Sequence, residues 1–301
     1  MFRSRTRVVC VSPLLACPEC PLHLAGAVDK NDQAVSTLST LPSPFLSLDD
    51  KVAAVLPSSN FQRWETQRGC AFRCTFCQHR GTSQSVTTVK DSRVEAELRF
   101  LADTKTLKVN IVDPTFNHNQ VNAISVLNRI HACALSLQTR PEKVTSSFLD
   151  AVQDSEADIT LECGVQTFEP SELKLIGRMP GTSSEATVKK VDKKLADIKE
   201  RGIRFEVSLI YGLPHQTVDS FMRSLEKAHL SGADKVSAFP LMLLRGTELH
   251  ARRHELGLRE DFLQSAVTSR IQDFIPHVVE TPALSTIEWI RLGEIAAALE
   301  K

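Results

Sequence analysis

The sequence predicts an α/β fold in which six βα units form a partial barrel. Between residues 61 and 240, six short apolar segments alternate with segments whose apolar residues recur at helical spacing. These 180 residues divide into six units of 30, which is the length of one βα unit with a right-handed crossover. Because a full barrel of the TIM type needs eight repeats, we expect a partial (βα)6 barrel of that type. Its chemistry should lie on loops at the carboxyl ends of the strands.

The strands and helices follow one another along the chain. We expect strands at residues 61–66, 107–112, 135–139, 159–165, 204–210 and 235–240. Three helices are predicted to begin at capping boxes, formed by Ser92 with Glu95, Thr182 with Glu185, and Ser285 with Glu288. Residues 1–60, which are rich in proline, are predicted to be an irregular N-terminal segment. Residues 61–245 would form the barrel core, and residues 246–301 a helical extension that covers it.

The composition argues against several classes of protein. Lys and Arg total 36 and Asp and Glu total 36, and a net charge of zero is untypical of a nucleic-acid binder. No apolar run approaches the ~20 residues that a membrane helix needs. We expect a cytoplasmic protein, although Arg3, Arg5 and Arg7 leave an organellar presequence open.

The eight cysteines are clustered, which favours metal ligation over the disulfide framework of small secreted domains. Cys70, Cys74 and Cys77 form a CxxxCxxC motif directly after the first predicted strand. These spacings let one loop place three thiolates around a single inorganic cluster, and thiolates select iron–sulfur clusters or zinc. A closed structural site needs four ligands, so three cysteines indicate a site that keeps one position open.

Two zinc sites remain as alternatives from the residues alone. The CxxxCxxC motif would become a structural zinc site if a fourth ligand came from Cys133, Cys163 or a histidine such as His79. A second set in the N-terminal segment has the residue types of a four-ligand site: Cys10, Cys17, Cys20 and His23.

The motif and its surroundings resemble the radical S-adenosylmethionine (radical SAM) enzymes. Their hallmark is CxxxCxxC with an aromatic residue before the third cysteine, which is Phe76 here. Further segments resemble the branch with N-terminal cobalamin-binding domains, typified by anaerobic Mg-protoporphyrin ester cyclase: residues 64–70, 112–117, 162–168, 213–214, 239–247 and 279–285. Some strand motifs are also similar to those of oxygen-independent coproporphyrinogen dehydrogenase. The resemblance covers residues 60 to 300.

The resemblance implies cofactors and a reaction. Cys70, Cys74 and Cys77 would hold a [4Fe–4S] cluster, and S-adenosylmethionine would chelate its open iron. One electron, from a donor such as flavodoxin or ferredoxin, would cleave S-adenosylmethionine to methionine and a 5′-deoxyadenosyl radical. The radical would abstract hydrogen from a substrate, a small molecule or another kind, that the sequence does not identify.

The resemblance also assigns residues to the S-adenosylmethionine site. Asp113 and Thr115 match the segment that binds the amino group, and Gln166 with Arg178 matches the ribose and carboxylate contacts. Glu162 lies four residues before Gln166 on one predicted strand, so both side chains should point to the same face. Each assignment has a structural alternative, with Asp113 as a helix N-cap and Arg178 as a solvated loop charge.

The remaining predicted cofactor residues lie on other strands and on the motif itself. Phe76, Leu241 and Met242 would bracket the adenine, although Met242 could equally be a core residue. Ser208 occupies a position on the fifth strand where the porphyrinogen dehydrogenase relatives carry Asp, so a ribose contact there is weakened.

This chain is not expected to bind cobalamin by itself. The 69 residues before Cys70 show no repeated strand–helix alternation and no Asp-x-His-x-x-Gly to ligate cobalt. A doubly wound sheet needs several ~30-residue βα units. Hydrogen abstraction without methylcobalamin is therefore the predicted chemistry. The alternative function is that of a non-catalytic relative that binds an iron–sulfur cluster or zinc in a structural or interaction role.

Overall fold

The computed structural model describes residues 43–46, 60–80, 86–178, 183–262 and 275–299. These residues form ten strands: β1 (Phe61–Trp64), β2 (Gln67–Arg68), β3 (Thr87–Thr88), β4 (Lys108–Ile111), β5 (Ala134–Thr139), β6 (Asp158–Gln166), β7 (Arg204–Tyr211), β8 (Lys235–Pro240), β9 (Arg259–Phe262) and β10 (Pro276–Glu280). The α-helices in the same ranges are α1 (Asp91–Asp103), α2 (Gln120–Leu127), α3 (Ser146–Asp154), α4 (Pro170–Leu175), α5 (Ser184–Glu200), α6 (Val218–Leu230), α7 (Glu248–Ala251) and α8 (Thr286–Ala298). Short 3-10 helices lie at Gln78–Arg80, Phe116–His118 and Pro141–Lys143.

Six parallel strands form the main sheet in the order β1-β4-β5-β6-β7-β8. At least one helix separates each of these strands from the next along the chain. The predicted α/β fold of six βα units, a partial barrel, is therefore confirmed. All six predicted strands are present, and none of their ends is displaced by more than two residues.

The sheet has one buried face and one half-buried face. Along β6 and β7, residues such as Leu161 and Val207 are buried in the hydrophobic core, and they alternate with half-buried residues. The face formed by the half-buried residues is called the inner face below. On β6 and β7 it consists of Thr160, Glu162, Gly164, Gln166, Glu206, Ser208 and Ile210.

The edge strand β1, which leads to the cysteine motif, is fixed by a buried carboxylate on α1. Glu97 is fully buried and accepts hydrogen bonds from Trp64 Nε1 (2.8 Å), Ser43 Oγ (2.6 Å) and Arg93 Nε (2.8 Å). Because an unpartnered buried carboxylate is costly, these three donors lock β1 to α1.

The helix caps agree with the predictions only in part. The capping box predicted at Ser92 is wrong, because the N-cap of α1 is Lys90, two residues earlier, and its side chain makes no capping hydrogen bond. Ser183 caps α5 by accepting a hydrogen bond from the backbone of Ala186 (3.1 Å), and the predicted cap Thr182 lies outside the described residues. The capping box of Ser285 with Glu288 on α8 is confirmed.

The C-terminal extension contains a two-stranded antiparallel sheet of β9 and β10 in addition to α7 and α8. This sheet was not among the elements predicted from the sequence. The chain after β8 also bonds to β10, since Leu243 N donates to Pro276 O (2.8 Å) and Val278 N to Leu241 O (2.9 Å). The extension therefore attaches directly to the last strand of the barrel.

The N-terminal zinc site and the domain boundaries are predictions that the described residues do not test. Cys10, Cys17, Cys20 and His23 lie outside the described residues, so the N-terminal zinc site stays a prediction. The boundaries proposed after residues 60 and 245 also stay predictions. Within the described ranges, every helix is too short or too polar to cross a membrane.

Candidate active site around the cysteine loop

The cysteine loop, residues 69–77, follows β2 and is anchored on two sides. Thr75 N donates to Ile176 O (3.0 Å) and Thr75 Oγ1 donates to Leu175 O (3.1 Å), both at the end of α4. Leu249 N of α7 donates to Thr75 O (2.9 Å). The loop is thus fixed between the carboxyl edge of the barrel, where α4 follows β6, and the C-terminal extension.

The three cysteines of this loop are free thiols that lie close enough to affect one another. Cys74 is 8% exposed, whereas Cys70 and Cys77 are half-buried. Burial raises the pKa of Cys77 to about 11; a backbone hydrogen bond at His79 opposes this, and Cys74 and Cys70 add to it. Arg178 also lowers the pKa of Cys77, which places its guanidinium near the thiols. Binding iron would remove the thiol proton, because the thiolate is the ligand.

Among the described residues, the three thiols are not grouped around a site for a single metal ion. In the ranges that the structure covers, no three His, Cys, Asp or Glu side chains are grouped to hold one metal ion. The predicted zinc site completed by Cys133, Cys163 or His79 is therefore not assembled by these residues. In a [4Fe–4S] cluster each thiolate binds a different iron, so the sulfurs need not meet at one point.

A buried arginine–glutamate cluster, formed by Arg140, Glu142 and Arg178, lies against the cysteine loop. Arg140 Nη1 is 3.7 Å from Cys74 Sγ, and Cys74 is among the groups that raise the pKa of Arg178 against the larger effect of burial. Glu142 Oε1 lies 2.6 Å from Arg140 Nη2 and 3.6 Å from Arg178 Nη2. Burial alone would raise the pKa of Glu142, but Arg178 and Arg140 outweigh it and lower that pKa. Two guanidinium groups and one carboxylate therefore leave a net positive charge beside Cys74.

Of this cluster the sequence analysis predicted only Arg178. The side chain of Arg178 is 6% exposed, so the alternative of a solvated loop charge is wrong. Its Nη2 donates to Gly164 O (2.6 Å) of β6, which places the guanidinium between the cysteine loop and the barrel. Arg140 and Glu142 were missed. The signal that could have found them is their position directly after the predicted strand 135–139, at the carboxyl end where site residues are expected.

Asp113 and Thr115 lie next to the loop but in different roles. Asp113 is fully buried, and its carboxylate accepts hydrogen bonds from Thr66 N (2.8 Å), Thr66 Oγ1 (2.5 Å) and Gln67 N (3.1 Å). In this structure it therefore holds the segment that leads into the cysteine loop instead of facing a ligand. The predicted N-cap role is also not seen, because Thr115 occupies that position before the 3-10 helix. Thr115 Oγ1 lies 3.9 Å from Cys70 Sγ.

Glu162, Gln166 and Ser208 lie on the inner face, as the alternation predicts. Gln138 donates a hydrogen bond to Glu162, whose pKa is raised, chiefly by burial. Gln166 has a φ of 74° where the pairing of β6 with β7 shifts register. Its side chain folds back over Gly164, since a Cβ on Gly164 would lie 2.8 Å from Gln166 Nε2. Ser208 pairs with Gly164 in the sheet, so the three polar residues occupy neighbouring positions.

The predicted adenine residues differ in exposure. Leu241 is buried in the core, whereas Phe76 and Met242 are half-buried. Met242 pairs with His277 across an isolated antiparallel bridge. His277 is fully buried, and its ring nitrogens have no hydrogen-bond partner among the residues that the structure describes. Burial lowers the pKa of His277, and the backbone of Ile275 opposes this. No sequence signal distinguished His277, and the adenine contacts stay a prediction.

Comparison with known proteins identifies relatives over part of the chain. The heme chaperone HemW of Mycobacterium tuberculosis is 27% identical over 131 residues, which cover 42% of this chain and 32% of that protein. The oxygen-independent coproporphyrinogen III oxidase of Bradyrhizobium diazoefficiens is 31% identical over 127 residues, which cover 42% of this chain and 27% of that protein. The chain thus spans less than half the length of the curated relatives it matches.

A solved structure and a family model extend the comparison. TsrM, a radical S-adenosylmethionine methyltransferase from Kitasatospora setae, has a TM-score of 0.64 at 16% identity, covering 82% of this chain and 53% of that chain. A second TsrM structure, which holds cobalamin and a [4Fe–4S] cluster, has the same fold, with a TM-score of 0.61 at 16% identity. Residues 64–228, more than half of the 301 residues, match the model of the radical SAM superfamily, which uses a [4Fe–4S] cluster and S-adenosylmethionine. The chain therefore belongs to the radical SAM superfamily.

Proposed function

We propose that this chain is a radical SAM enzyme in which Cys70, Cys74 and Cys77 hold a [4Fe–4S] cluster with one open iron. The observation that carries the proposal is the cysteine loop, which is anchored at the barrel's carboxyl edge and holds three free thiols, one buried and two half-buried. When bound, the cluster and S-adenosylmethionine supply a 5′-deoxyadenosyl radical that abstracts hydrogen from the substrate.

In this proposal Arg178 and the inner face bind S-adenosylmethionine. Arg178 has five N–H donors in a fixed fork, which suits the carboxylate of the cofactor. Gly164 O accepts a hydrogen bond from only one of its three nitrogens, Nη2. Gln166, Glu162 and Ser208 provide polar groups for the ribose. The pKa of Glu162 is raised, chiefly by burial and also by Glu206, so a ribose hydroxyl that hydrogen bonds to it would stabilise this carboxylate.

The residues beside the loop have positioning roles in the proposal. Asp113 fixes the backbone of Thr66 and Gln67, which directly precede the loop. Thr115, whose hydroxyl lies 3.9 Å from Cys70 Sγ, lines the approach to that thiol. Asp113 is thus assigned to the loop entry, and Thr115 remains as the residue proposed for the amino group.

The partners and location are proposed on the same basis. An oxygen-sensitive cluster and free thiols suit a reducing compartment, so we place the protein in the cytoplasm with flavodoxin or ferredoxin as the electron donor. The substrate is a small molecule or a larger one that the inner face admits.

A second candidate is a protein that binds the cluster without turning over S-adenosylmethionine. It is favoured by the match to a relative named as a heme chaperone and by Ser208, which stands where the porphyrinogen dehydrogenases carry an acid. In that case the site would retain iron and S-adenosylmethionine binding but release no 5′-deoxyadenosine.

Anaerobic reconstitution followed by product analysis separates the candidates. We expect about four irons per chain, and 5′-deoxyadenosine after addition of dithionite and S-adenosylmethionine. Cys74→Ala should lose iron and product. Cys133→Ala, which removes a buried thiol of 7% exposure outside the loop, should keep both. Iron without product supports the second candidate, and zinc in place of iron contradicts both.

A further inference from the structure

The guanidinium of Arg140 is held rigidly against the cysteine loop. Its Cζ lies 3.7 Å from the centroid of the Phe72 ring, and its Nε donates to Glu142 Oε1 (2.7 Å). Its backbone is also fixed, since Arg140 N donates to Asn117 Oδ1 (3.1 Å) and Arg140 O accepts from Asn117 Nδ2 (3.0 Å). One face of the guanidinium lies on Phe72 and one edge contacts Glu142, so only the remaining edge is directed at the cysteine loop. Nη1 of that edge lies 3.7 Å from Cys74 Sγ.

The guanidinium of Arg140 has N–H donors that other described residues leave without an acceptor of their own. Arg140 Nη2 lies 2.6 Å from Glu142 Oε1, an oxygen that also accepts from Nε, and Nη2 makes no hydrogen bond to any other group among the described residues. Arg140 is 5% exposed. A buried guanidinium edge with unused donors is costly unless an acceptor is supplied. A thiolate that ligates iron, with sulfide beside it, is an acceptor of that kind.

We propose that Arg140 is a positioning residue that donates an N–H···S hydrogen bond to Cys74 and thereby raises the reduction potential of the cluster. The proposal rests on the proposed function, because it requires that Cys74 ligate iron. It adds a role for Arg140, which was not among the residues predicted for the S-adenosylmethionine site.

The direction of the effect follows from charge. Reduction adds one electron to the cluster, and a fixed positive group with hydrogen bonds to a ligating sulfur stabilises that added negative charge. Little solvent screens the interaction, because Arg140, Glu142 and Cys74 are all buried. Glu142 offsets one guanidinium, but Arg178 supplies a second, so the net charge beside Cys74 is positive.

The test is a reductive titration of the reconstituted protein, followed by electron paramagnetic resonance, for the unchanged chain and two variants. Arg140→Met removes the charge and the N–H donors while keeping an unbranched side chain on Phe72. Lys143→Met is the matched control, because Lys143 is exposed and lies 5.6 Å from the centroid of the same Phe72 ring. We expect the ratio of reduced to oxidised cluster at a fixed potential to fall about tenfold in Arg140→Met, or 59 mV for a one-electron couple, and to change far less in Lys143→Met.

Two results would overturn the inference: a potential in Arg140→Met equal to that of the unchanged chain, or an equal shift in both variants. Should Arg140→Met fail to bind iron, Arg140→Gln, which keeps an N–H donor but loses the positive charge, replaces it. A potential lower than that of the unchanged chain supports the proposal, and an unaltered one refutes it. Failure of the unchanged chain to assemble an iron–sulfur cluster would instead refute the proposed function, so the two failures are distinguishable.

Discussion

Gly177 lies directly against the cysteine loop, and we expect Gly177→Ala to displace that loop. Gly177 follows the last turn of α4 with a φ of 67°, and a Cβ there would lie 2.7 Å from Arg73 O. An alanine in this left-handed conformation costs about 1–2 kcal/mol. The contact with a backbone oxygen adds about 1–3 kcal/mol, because the loop has to move or strain. The expected loss of unfolding free energy is therefore about 2–5 kcal/mol.

Gly202 provides the control for the conformational part of this cost. It follows the end of α5 with the same φ of 67°, but a Cβ there would meet no atom within 4 Å. Urea unfolding of the anaerobic apoprotein should show a loss of about 1–2 kcal/mol for Gly202→Ala, with normal iron content after reconstitution. Gly177→Ala should lose more stability and also iron. Equal losses of stability in the two variants, with full iron in both, would refute the argument.

Three further predictions concern single side chains. Arg178→Ala should weaken S-adenosylmethionine binding by about tenfold or more without loss of iron, as measured by calorimetry; unchanged affinity would defeat the assignment. Burial raises the pKa of Asp113 from 3.8 to about 7, so the folded state favours the protonated carboxyl. The free energy of unfolding of the unchanged chain, relative to that of Asp113→Asn, should therefore fall as the pH rises from 4 to 7 and then level off. A rise over that range in urea titrations would contradict this. Glu97→Gln should lower the free energy of unfolding by about 2–3 kcal/mol, since the Glu97 carboxylate is buried and accepts from three donors. Glu95→Gln, which removes an exposed ion pair on the same helix, should lower it by less than about 1 kcal/mol. Equal losses would show that the buried hydrogen bonds do not stabilise the fold.

The strands could be predicted because each carries its own periodic signal. Alternation along segments such as 159–165 reflects a buried and a half-buried face, which is a local property of the chain. β9 has no such signal, because all four of its residues are exposed. Its pairing with β10 depends on a contact across the chain that no local pattern encodes.

The site shows the same division between local and long-range information. The cysteine motif is local, and its spacing identified the three thiols. The position of Arg140 at a strand end is local, but its contact with Cys74 joins residues 66 positions apart, so the sequence near either residue does not predict the contact. Asp113 was placed correctly at a strand end, but its burial and its three donors, which give it a role in holding the loop entry, follow from how β1, β2 and β4 pack. The sequence thus located the site, while the roles of individual side chains depend on packing.

The most direct test of the central claim is the electron paramagnetic resonance spectrum of the reduced, reconstituted chain before and after S-adenosylmethionine is added. If Cys70, Cys74 and Cys77 hold a [4Fe–4S] cluster with an open iron, the spectrum of a reduced cluster should be present and should change when the cofactor binds that iron. A spectrum that stays the same on addition of S-adenosylmethionine, or a protein that holds zinc and shows no cluster signal, would contradict the account.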